Sequence, residues 1–494
     1  MKIQETDKTL KVLPQGSPLD TKMLLNWRTK KGDEWLYVEN NIVNRLVLGL
    51  SALAYKTRPV PEPRNWMDSR LELFQQADVA KGSNLGDVLN RNKMGLGKTI
   101  ETIQMLKGLN ARDAVVCAPK TVCPQWQAQF AEWWPEVADT VELYNPYASI
   151  CVINYDKLRN EKILLQLRGR RHDAVVFDEI HKLKNRTAQQ TEAAKMIPAQ
   201  WHIGVTGTPI LKNPDDLWSI LHAIDWHYSG TSYWSFVNYF CKVVEGPFGR
   251  KIEGVTDSPE RLAILHSLLE LVTIHNPNVE VAKGKRVNTV QLEMTPKQAA
   301  LYKKIKNLVL DELPQNCTIA NGAVHAMRMQ QTTSWPGLFD IDTPGAKFEW
   351  VLDFCQGTDE QVLVLSRFAK TATALNRYLS SKNVSSTLYT GLQNDKLKQL
   401  NKQMFIEGKC QVLIGTIDAI GTGTDGLQVA RLGVMLEQDW SPEINKQCED
   451  RLHRRGQTKP VRWYYLSCLK TFDKHVGHVN LTRADAIRTA LEED

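Results

Sequence analysis

The sequence predicts an α/β fold: two blocks of parallel strands flanked by helices, with a small helical segment between them. Three observations lead there. Short β-branched runs recur at Ala114–Ala118, Ala174–Phe177, Gln361–Leu365, Val412–Ile414 and Gly433–Leu436. They are apolar at successive positions, as strands covered by helices on both faces are. A polar or glycine-rich turn and then helix-like sequence follow these runs, which is the alternation of a parallel sheet. Finally, 494 residues are more than one core ordinarily organises.

Composition narrows the class. With 42% hydrophobic and 24% charged residues, the chain has the proportions of a globular protein and not of a disordered one. A net charge of +7 permits nucleic-acid binding without requiring it. The N-terminal stretch MKIQETDKTLKVLPQGS lacks the apolar centre of a secretory signal. The apolar run Leu46–Tyr55 is too short to cross a bilayer. A cytoplasmic protein without a membrane is expected. The 9 cysteines form no C-x-x-C pair. Cys117, Cys151, Cys410 and Cys468 lie in or beside apolar runs and read as reduced core residues, with neither disulfides nor zinc.

In chain order, residues 1–63 carry no motif, and the first block is taken as 64–274. A linker and helical segment occupy 275–345, beginning with the turn-rich, basic His275–Arg286. Within it, Leu301, Ile305 and Leu308 form one stripe, predicting a helix over Thr295–Leu313. Its Lys303, Lys304 and Lys306 suit either a solvated helix face or a DNA contact. The second block is 346–494.

The first block contains Met94-Gly95-Leu96-Gly97-Lys98-Thr99-Ile100. Glycines let a loop curl its amides towards a phosphate, and the following helix N-terminus adds positive potential. Lys98 is expected to reach the β- and γ-phosphates of ATP, and the Thr99 hydroxyl to hold Mg²⁺. Asn92 stands where the strict loop has its first glycine. Downstream, the strand candidate Ala174–Phe177 runs directly into Asp178-Glu179. An acidic pair at a strand's carboxyl end suits Mg·ATP hydrolysis, with Asp178 on the metal and Glu179 polarising the attacking water.

With these residues placed, MGLGKT, APKTVCPQW, FDEIHKLKN and VTGTPILKN resemble motifs I, Ia, II and III of superfamily 2 helicases, specifically of the Swi/Snf branch. Ile180 replaces the usual alanine of motif II, whereas His181, Lys182, Leu183, Lys184 and Asn185 keep the pattern. The resemblance implies two RecA-like lobes and a coupling role for His181, Thr206 and Thr208. Upstream, Leu71 with Phe74-Gln75 is similar to the glutamine motif, implying that Gln75 reads adenine. For DNA, it implies contacts from Pro119, Lys120 and Thr121 of motif Ia and from Lys212 after motif III.

In the second block, an arginine supplied to the transferring phosphoryl group can contribute about 10³–10⁵ in rate. The segment Gln447–Gln457 resembles motif VI, Q-x-x-x-R-x-H-R-x-G-Q, at every fixed position. Arg451 and Arg454, three apart, share one face if the segment is helical and can then converge on one phosphate. Gln447 is assigned to coupling, and Arg455 falls outside the pattern. Ser366-Arg367-Phe368 resembles motif IV, with Arg367 where glutamine is frequent. The glycine-rich run Gly421–Gln428 resembles motif V, implying backbone contacts to DNA from Gly421 and Gly423. Asp439-Trp440-Ser441-Pro442 resembles the D-x-W-N-P segment before motif VI.

Contacts in this superfamily go mainly to phosphate and sugar, so recognition independent of sequence is expected. Trp126, Trp133 and Trp134 read as core packing rather than base stacking. The resemblance implies translocation along double-stranded DNA without obligatory strand separation. Two departures mark this chain: Asn92-Lys93 where motif I opens with Asp-Glu, and Ile274-His275-Asn276-Pro277 where Arg-Arg-x-Lys is common. Without room for histone-reading modules, a compact bacteriophage- or bacterium-type member is expected. Repair, recombination or branch migration, with branched DNA as one substrate, would be its setting. A strand-separating DNA or RNA helicase and a non-enzymatic DNA-binding scaffold are the alternatives.

Overall fold

The continuous apolar runs of the sequence are central strands, and their two-residue period explains why they are apolar throughout. In the run Ala114–Ala118, Val115 and Cys117 enter one buried cluster, and Ala114, Val116 and Ala118 enter another on the opposite face. Cys151 and Ile153 divide from Ile150 and Val152 in the same way, as do Val175 and Phe177 from Ala174 and Val176. Alternate side chains point to opposite faces, and here both faces are covered. The computed structural model describes residues 2–13, 24, 27–29, 35–52, 66–211, 213–246, 249–280, 282–308, 317, 319–421 and 424–491. The chain divides into two compact units, Met1–Val279 with Arg483–Asp494, and Glu280–Thr482.

Within the first unit, β1 (Lys2–Glu5), β2 (Thr9–Leu13), β3 (Trp27–Thr29) and β4 (Leu36–Glu39) form an antiparallel sheet in the order β1-β2-β4-β3. The main sheet contains β5 (Val88–Asn90), β6 (Ala114–Ala118), β7 (Val141–Leu143), β8 (Ile150–Asn154), β9 (His172–Asp178) and β10 (Ala199–Val205). A hairpin, β11 (Cys241–Gly246) and β12 (Gly249–Val255), follows, and β13 (Thr273–Ile274) returns to the main sheet. The order of that sheet is β13-β5-β10-β9-β6-β8-β7, parallel throughout. Motif loops therefore leave at the carboxyl ends of β5, β6, β9 and β10, where ligands bind in open α/β sheets.

The second unit repeats the design with β14 (Lys285–Leu292), β15 (Val362–Ser366), β16 (Ser386–Tyr389), β17 (Val412–Thr416), β18 (Leu432–Met435) and β19 (Val461–Cys468). These run parallel in the order β14-β19-β18-β15-β17-β16. Leu363, Leu365 and Leu413 face one cluster, and Val362, Val364, Val412 and Ile414 face the other.

Three sequence expectations change. Residues 285–292, placed with the linker and helical segment, are an edge strand of the second sheet. Arg286 to Thr289 are exposed, so no apolar run announces β14. The predicted helix over Thr295–Leu313 is Pro296–Lys306, and residues 309–313 lie outside the described residues. Leu301 and Ile305 are buried, but Leu308 lies past the helix end with φ +55° and is 49% exposed. Its left-handed backbone turns it off the stripe. The chain's last residues belong with the first unit, whose core includes Ile487, Ala490 and Leu491.

Candidate nucleotide site

The motif I loop joins β5 to the helix Lys98–Gly108. Gly95 and Gly97 adopt φ +85° and +90°, a region that glycine enters without steric cost. Leu96 between them is buried, while Met94, Lys98, Thr99 and Ile100 are half-buried. The Lys98 ammonium donates to the Lys93 carbonyl at 3.2 Å. Lys98 thus bends back over the residues that open the loop. The Gln75 amide donates to the Leu96 carbonyl at 2.9 Å and accepts from the Glu72 amide at 3.0 Å. Both ends of Gln75 are therefore engaged within the protein. As placed, it braces the phosphate loop.

Motif II begins at the last residue of β9. Asp178 is 8% exposed, and its carboxylate accepts from Trp126 Nε1 at 2.8 Å and from the Glu179 amide at 3.0 Å. The Tyr155 hydroxyl donates to the Asp178 carbonyl at 2.8 Å. Burial, and then the adjoining Glu179 carboxylate, push the Asp178 acid up towards neutrality. A buried carboxylate in that condition is a donor that a divalent cation would stabilise.

Glu179 has φ +49°, a left-handed backbone uncommon for a non-glycine residue. It brings Oε2 within 3.3 Å of the Thr206 hydroxyl, which donates, and within 3.2 Å of His181 Nδ1. His181 Nδ1 also lies 3.1 Å from Thr206 Oγ1, which accepts from the Thr208 amide at 3.1 Å. Glu179, His181, Thr206 and Thr208, identified separately in motifs II and III, are one hydrogen-bonded group.

Asn92 belongs to a buried polar network behind the loop. Its side-chain amide donates to Asp78 at 2.8 Å and to Glu101 at 3.2 Å, and Asn90 donates to Glu101 at 2.7 Å. Asn92 Oδ1 accepts from both the backbone and the side-chain amide of Asn276, at 2.9 and 3.1 Å. Asn276 also donates to Asp78 at 2.6 Å, and Lys93 Nζ donates to the Pro277 carbonyl. The two departures noted in the sequence, Asn92-Lys93 and Asn276-Pro277, are direct partners.

Among the residues expected to meet DNA, Lys120 and Thr121 are exposed after β6, and Pro119 is buried beneath them. Lys212 and Gly423 lie outside the described residues. Gly421 does not form the accessible phosphodiester cradle expected of it. It is buried, and its carbonyl accepts from Arg451.

In the second unit the helix Pro442–Glu449 stops short of Arg451, so the two arginines do not share a helical face. Turns bring them together instead. Arg454 pairs with Asp425, and Arg451 lies 4.0 Å from the same carboxylate. Arg451 is 2% exposed. Gln447 is buried on the helix, and Arg455 is exposed. Gln457 donates to the carbonyls of Gln428 and Ala430, both at 2.9 Å, fastening motif VI to motif V. Lys285 pairs with Glu449 and Asp450 at 2.8 and 2.7 Å, fastening it to β14. Arg367 donates to Gln330 at 2.6 Å and pairs with Asp439 at 3.3 Å, joining motif IV to the D-x-W segment.

Sequence reasoning missed Trp126, Tyr155 and Asp425 as partners of the site. Trp126 is the core residue expected of it, fully buried, yet its indole N–H serves motif II. A buried tryptophan needs an acceptor, and motif spacing does not say which.

Comparisons with known proteins identify the family. The family domain described as SNF2-related matches residues 34–334, and the helicase conserved C-terminal domain matches residues 346–456. A probable ATP-dependent DNA helicase of Arabidopsis thaliana is 26% identical over 446 residues, covering 80% of this chain and 39% of its own. An ISWI chromatin-remodeling complex ATPase of the same plant is 23% identical, covering 75% and 37%. An uncharacterized ATP-dependent helicase of Bacillus subtilis is 25% identical, covering 86% and 82%. The chain thus spans less than two fifths of the length of these plant relatives and most of the bacterial one. Among solved structures, the Sulfolobus solfataricus SWI2/SNF2 ATPase core in complex with dsDNA is similar at 17% identity, covering 89% of this chain and 100% of that one, with a TM-score of 0.38. With the SNF2-related domain matched over more than half of its length, the chain belongs to the SNF2-related family.

Proposed function

We propose that this protein is a DNA-dependent ATPase that moves along double-stranded DNA without reading its sequence. The observation carrying the reading is the Glu179–His181–Thr206 group, which stands beside a lysine-bearing phosphate loop in the same unit. A motor needs a carboxylate for the attacking water and a way to transmit the state of that carboxylate. Here the group that polarises the water is hydrogen-bonded to motif III.

In this reading the loop amides and Lys98 bind the β- and γ-phosphates of ATP, and Gln75 holds the loop in shape. Glu179 orients the attacking water. Thr99 and Asp178 are the residues that would hold Mg²⁺, which neutralises phosphate charge when bound. Trp126 orients the Asp178 carboxylate, and Asn92 anchors the loop from behind. Arg451 and Arg454 are required for turnover, and Asp425 is their counter-ion. Gln447 is assigned with His181, Thr206 and Thr208 to coupling.

Exposed Lys120 and Thr121 are assigned to phosphodiester contact, together with Pro119 and Lys212. Glycine-rich motif V contributes through Gly423 rather than through buried Gly421. Relatives are named as ATP-dependent DNA helicase and as chromatin-remodeling ATPase, which supports DNA as the track. The load is taken to be branched DNA or bound protein, as in repair or recombination. Comparing ATPase stimulation by blunt duplex, single-stranded DNA, a four-way junction and RNA tests the reading. Duplex or junction should stimulate most. Stronger stimulation by single strands would favour a strand-separating helicase instead.

A further inference from the structure

Residues 2–29 precede the family match at 34–334 and carry none of the motifs of the nucleotide site. Period two governs their sheet as it does the main one. Leu10, Val12, Leu36 and Val38 turn inward onto Leu24 and Leu48, which directs Lys11, Tyr37 and Arg28 to the other face. Strand register sets these three in a row across the sheet, with Lys11 opposite Tyr37 on one side and Arg28 opposite it on the other. The Lys11 ammonium lies 5.6 Å from the centre of the Tyr37 ring. An aromatic ring between two cations on adjacent strands is a surface suited to a base with its flanking phosphates.

The row opens into a cavity of about 600 Å³, lined by Tyr37, Arg28, Lys8, His222 and Trp226 among others. That lies within the roughly 300–1,000 Å³ of small-ligand sites. Lys8 and Arg28 are exposed, whereas Tyr37, His222 and Trp226 are half-buried. Among the described residues, Glu39 is the acidic one of the lining. Its oxygens accept from the Thr231 amide at 3.2 Å and from Asn41 at 3.1 Å. Burial, and then Lys195, lower the His222 pKa to about 4, so its ring is a neutral wall at physiological pH. The cavity therefore combines aromatic walls with an excess of positive charge.

We propose that this sheet face and its cavity bind single-stranded nucleic acid, with an unpaired base on Tyr37 or Trp226 and the flanking phosphates on Lys8, Lys11 and Arg28. A duplex keeps its bases stacked and cannot place one in the cavity, so the ring walls select an unpaired strand. This contact goes beyond the motor and shares no residue with the nucleotide site.

The experiment is fluorescence anisotropy of the full chain with a labelled oligothymidylate, without ATP, in parallel with a blunt duplex. Tyr37→Ala and the double variant Lys8→Ala/Arg28→Ala should each weaken single-strand affinity about tenfold. Tyr37→Phe should restore it, and the double variant should also flatten the salt dependence. Duplex affinity and DNA-independent ATPase should stay within about twofold. Unchanged single-strand affinity, an equal loss on duplex, or displacement of the oligonucleotide by equimolar mononucleotide would overturn the proposal. Photocrosslinking a 5-iododeoxyuridine oligonucleotide to the unaltered chain guards against misfolded variants: adducts should map to Tyr37 or Trp226, and adducts solely elsewhere overturn the assignment. The same adducts are expected in Lys98→Ala, so failure of the motor reading would leave this result standing.

Discussion

Trp126 donates its indole N–H to the Asp178 carboxylate across 2.8 Å, tying the helix Cys123–Trp133 to the acidic pair of motif II. The partners lie 52 residues apart in sequence, and both are buried. Trp126→Phe keeps most of the packing and removes the donor. It should cost about 1–3 kcal/mol of stability, the penalty of an unsatisfied buried acceptor. Turnover should also fall, because Asp178 loses its orientation. Calorimetric melting together with ATPase assay checks both, and wild-type turnover in the variant would remove Trp126 from the site.

Asn92 donates to two carboxylates, Asp78 and Glu101, and accepts from Asn276. Asn92→Asp brings back the acid usual at the start of motif I in the resembling branch. In this chain it sets a third carboxylate among two buried ones and removes their donor. A loss of about 3 kcal/mol is expected, the scale of an uncompensated buried charge. Asn92→Ala and Asn276→Ala should be non-additive by about 0.5–3 kcal/mol in a double-mutant cycle read by urea unfolding. Additive losses would show that the two departures from the pattern are independent.

His222 supplies a pH dependence. Its folded pKa of about 4 lies below the ordinary 6.5 because of burial and then Lys195. The ring stacks on Trp218 at 4.5 Å, and Nδ1 meets Ser229 Oγ at 3.0 Å. A depressed folded pKa gives stability that is complete above 6.5 and is lost as the pH falls towards 4, where the unfolded chain takes the proton first. From pH 7 to pH 5 the contribution should fall by roughly 2 kcal/mol. In His222→Gln the unfolding free energy should lose correspondingly less over that interval. An identical acid limb in both proteins would contradict the assignment.

Arg454 and Arg451 share the Asp425 counter-ion. Arg454→Ala should lower ATP turnover by about 10³, within the range attributed to arginines that neutralise transition-state charge. ATP affinity, measured with a fluorescent analogue, should change only a few-fold. A loss confined to affinity would place Arg454 in ground-state binding instead.

How much of this was legible beforehand differs by residue. Strands such as Ala114–Ala118 were readable because both faces are buried, which makes every position apolar. β14 was not, because an edge strand with exposed Arg286 to Thr289 carries no such mark. Lys98, Asp178 and Glu179 could be named because phosphate chemistry restricts both their types and their local spacing, whereas His181 and Thr206 were named only through the family resemblance of motifs II and III. The Asn92–Asn276 bond could not, since its partners lie 184 residues apart in sequence and asparagine suits many surroundings. The helical pairing expected of Arg451 and Arg454 gave way because the helix ends at Glu449. The turns that follow it set both arginines beside Asp425 instead, and one-dimensional spacing does not contain that carboxylate.

The central claim, a DNA-dependent ATPase centred on the Lys98 loop and Glu179, is tested most directly by steady-state ATPase rates with and without duplex DNA. Wild type, Lys98→Ala and Glu179→Gln should be compared, with DNA binding at low salt measured alongside. The expected result is strong stimulation of the wild type by DNA and no turnover in either variant, while both variants still bind DNA. Substantial hydrolysis in Glu179→Gln, or a wild-type rate indifferent to DNA, would contradict it.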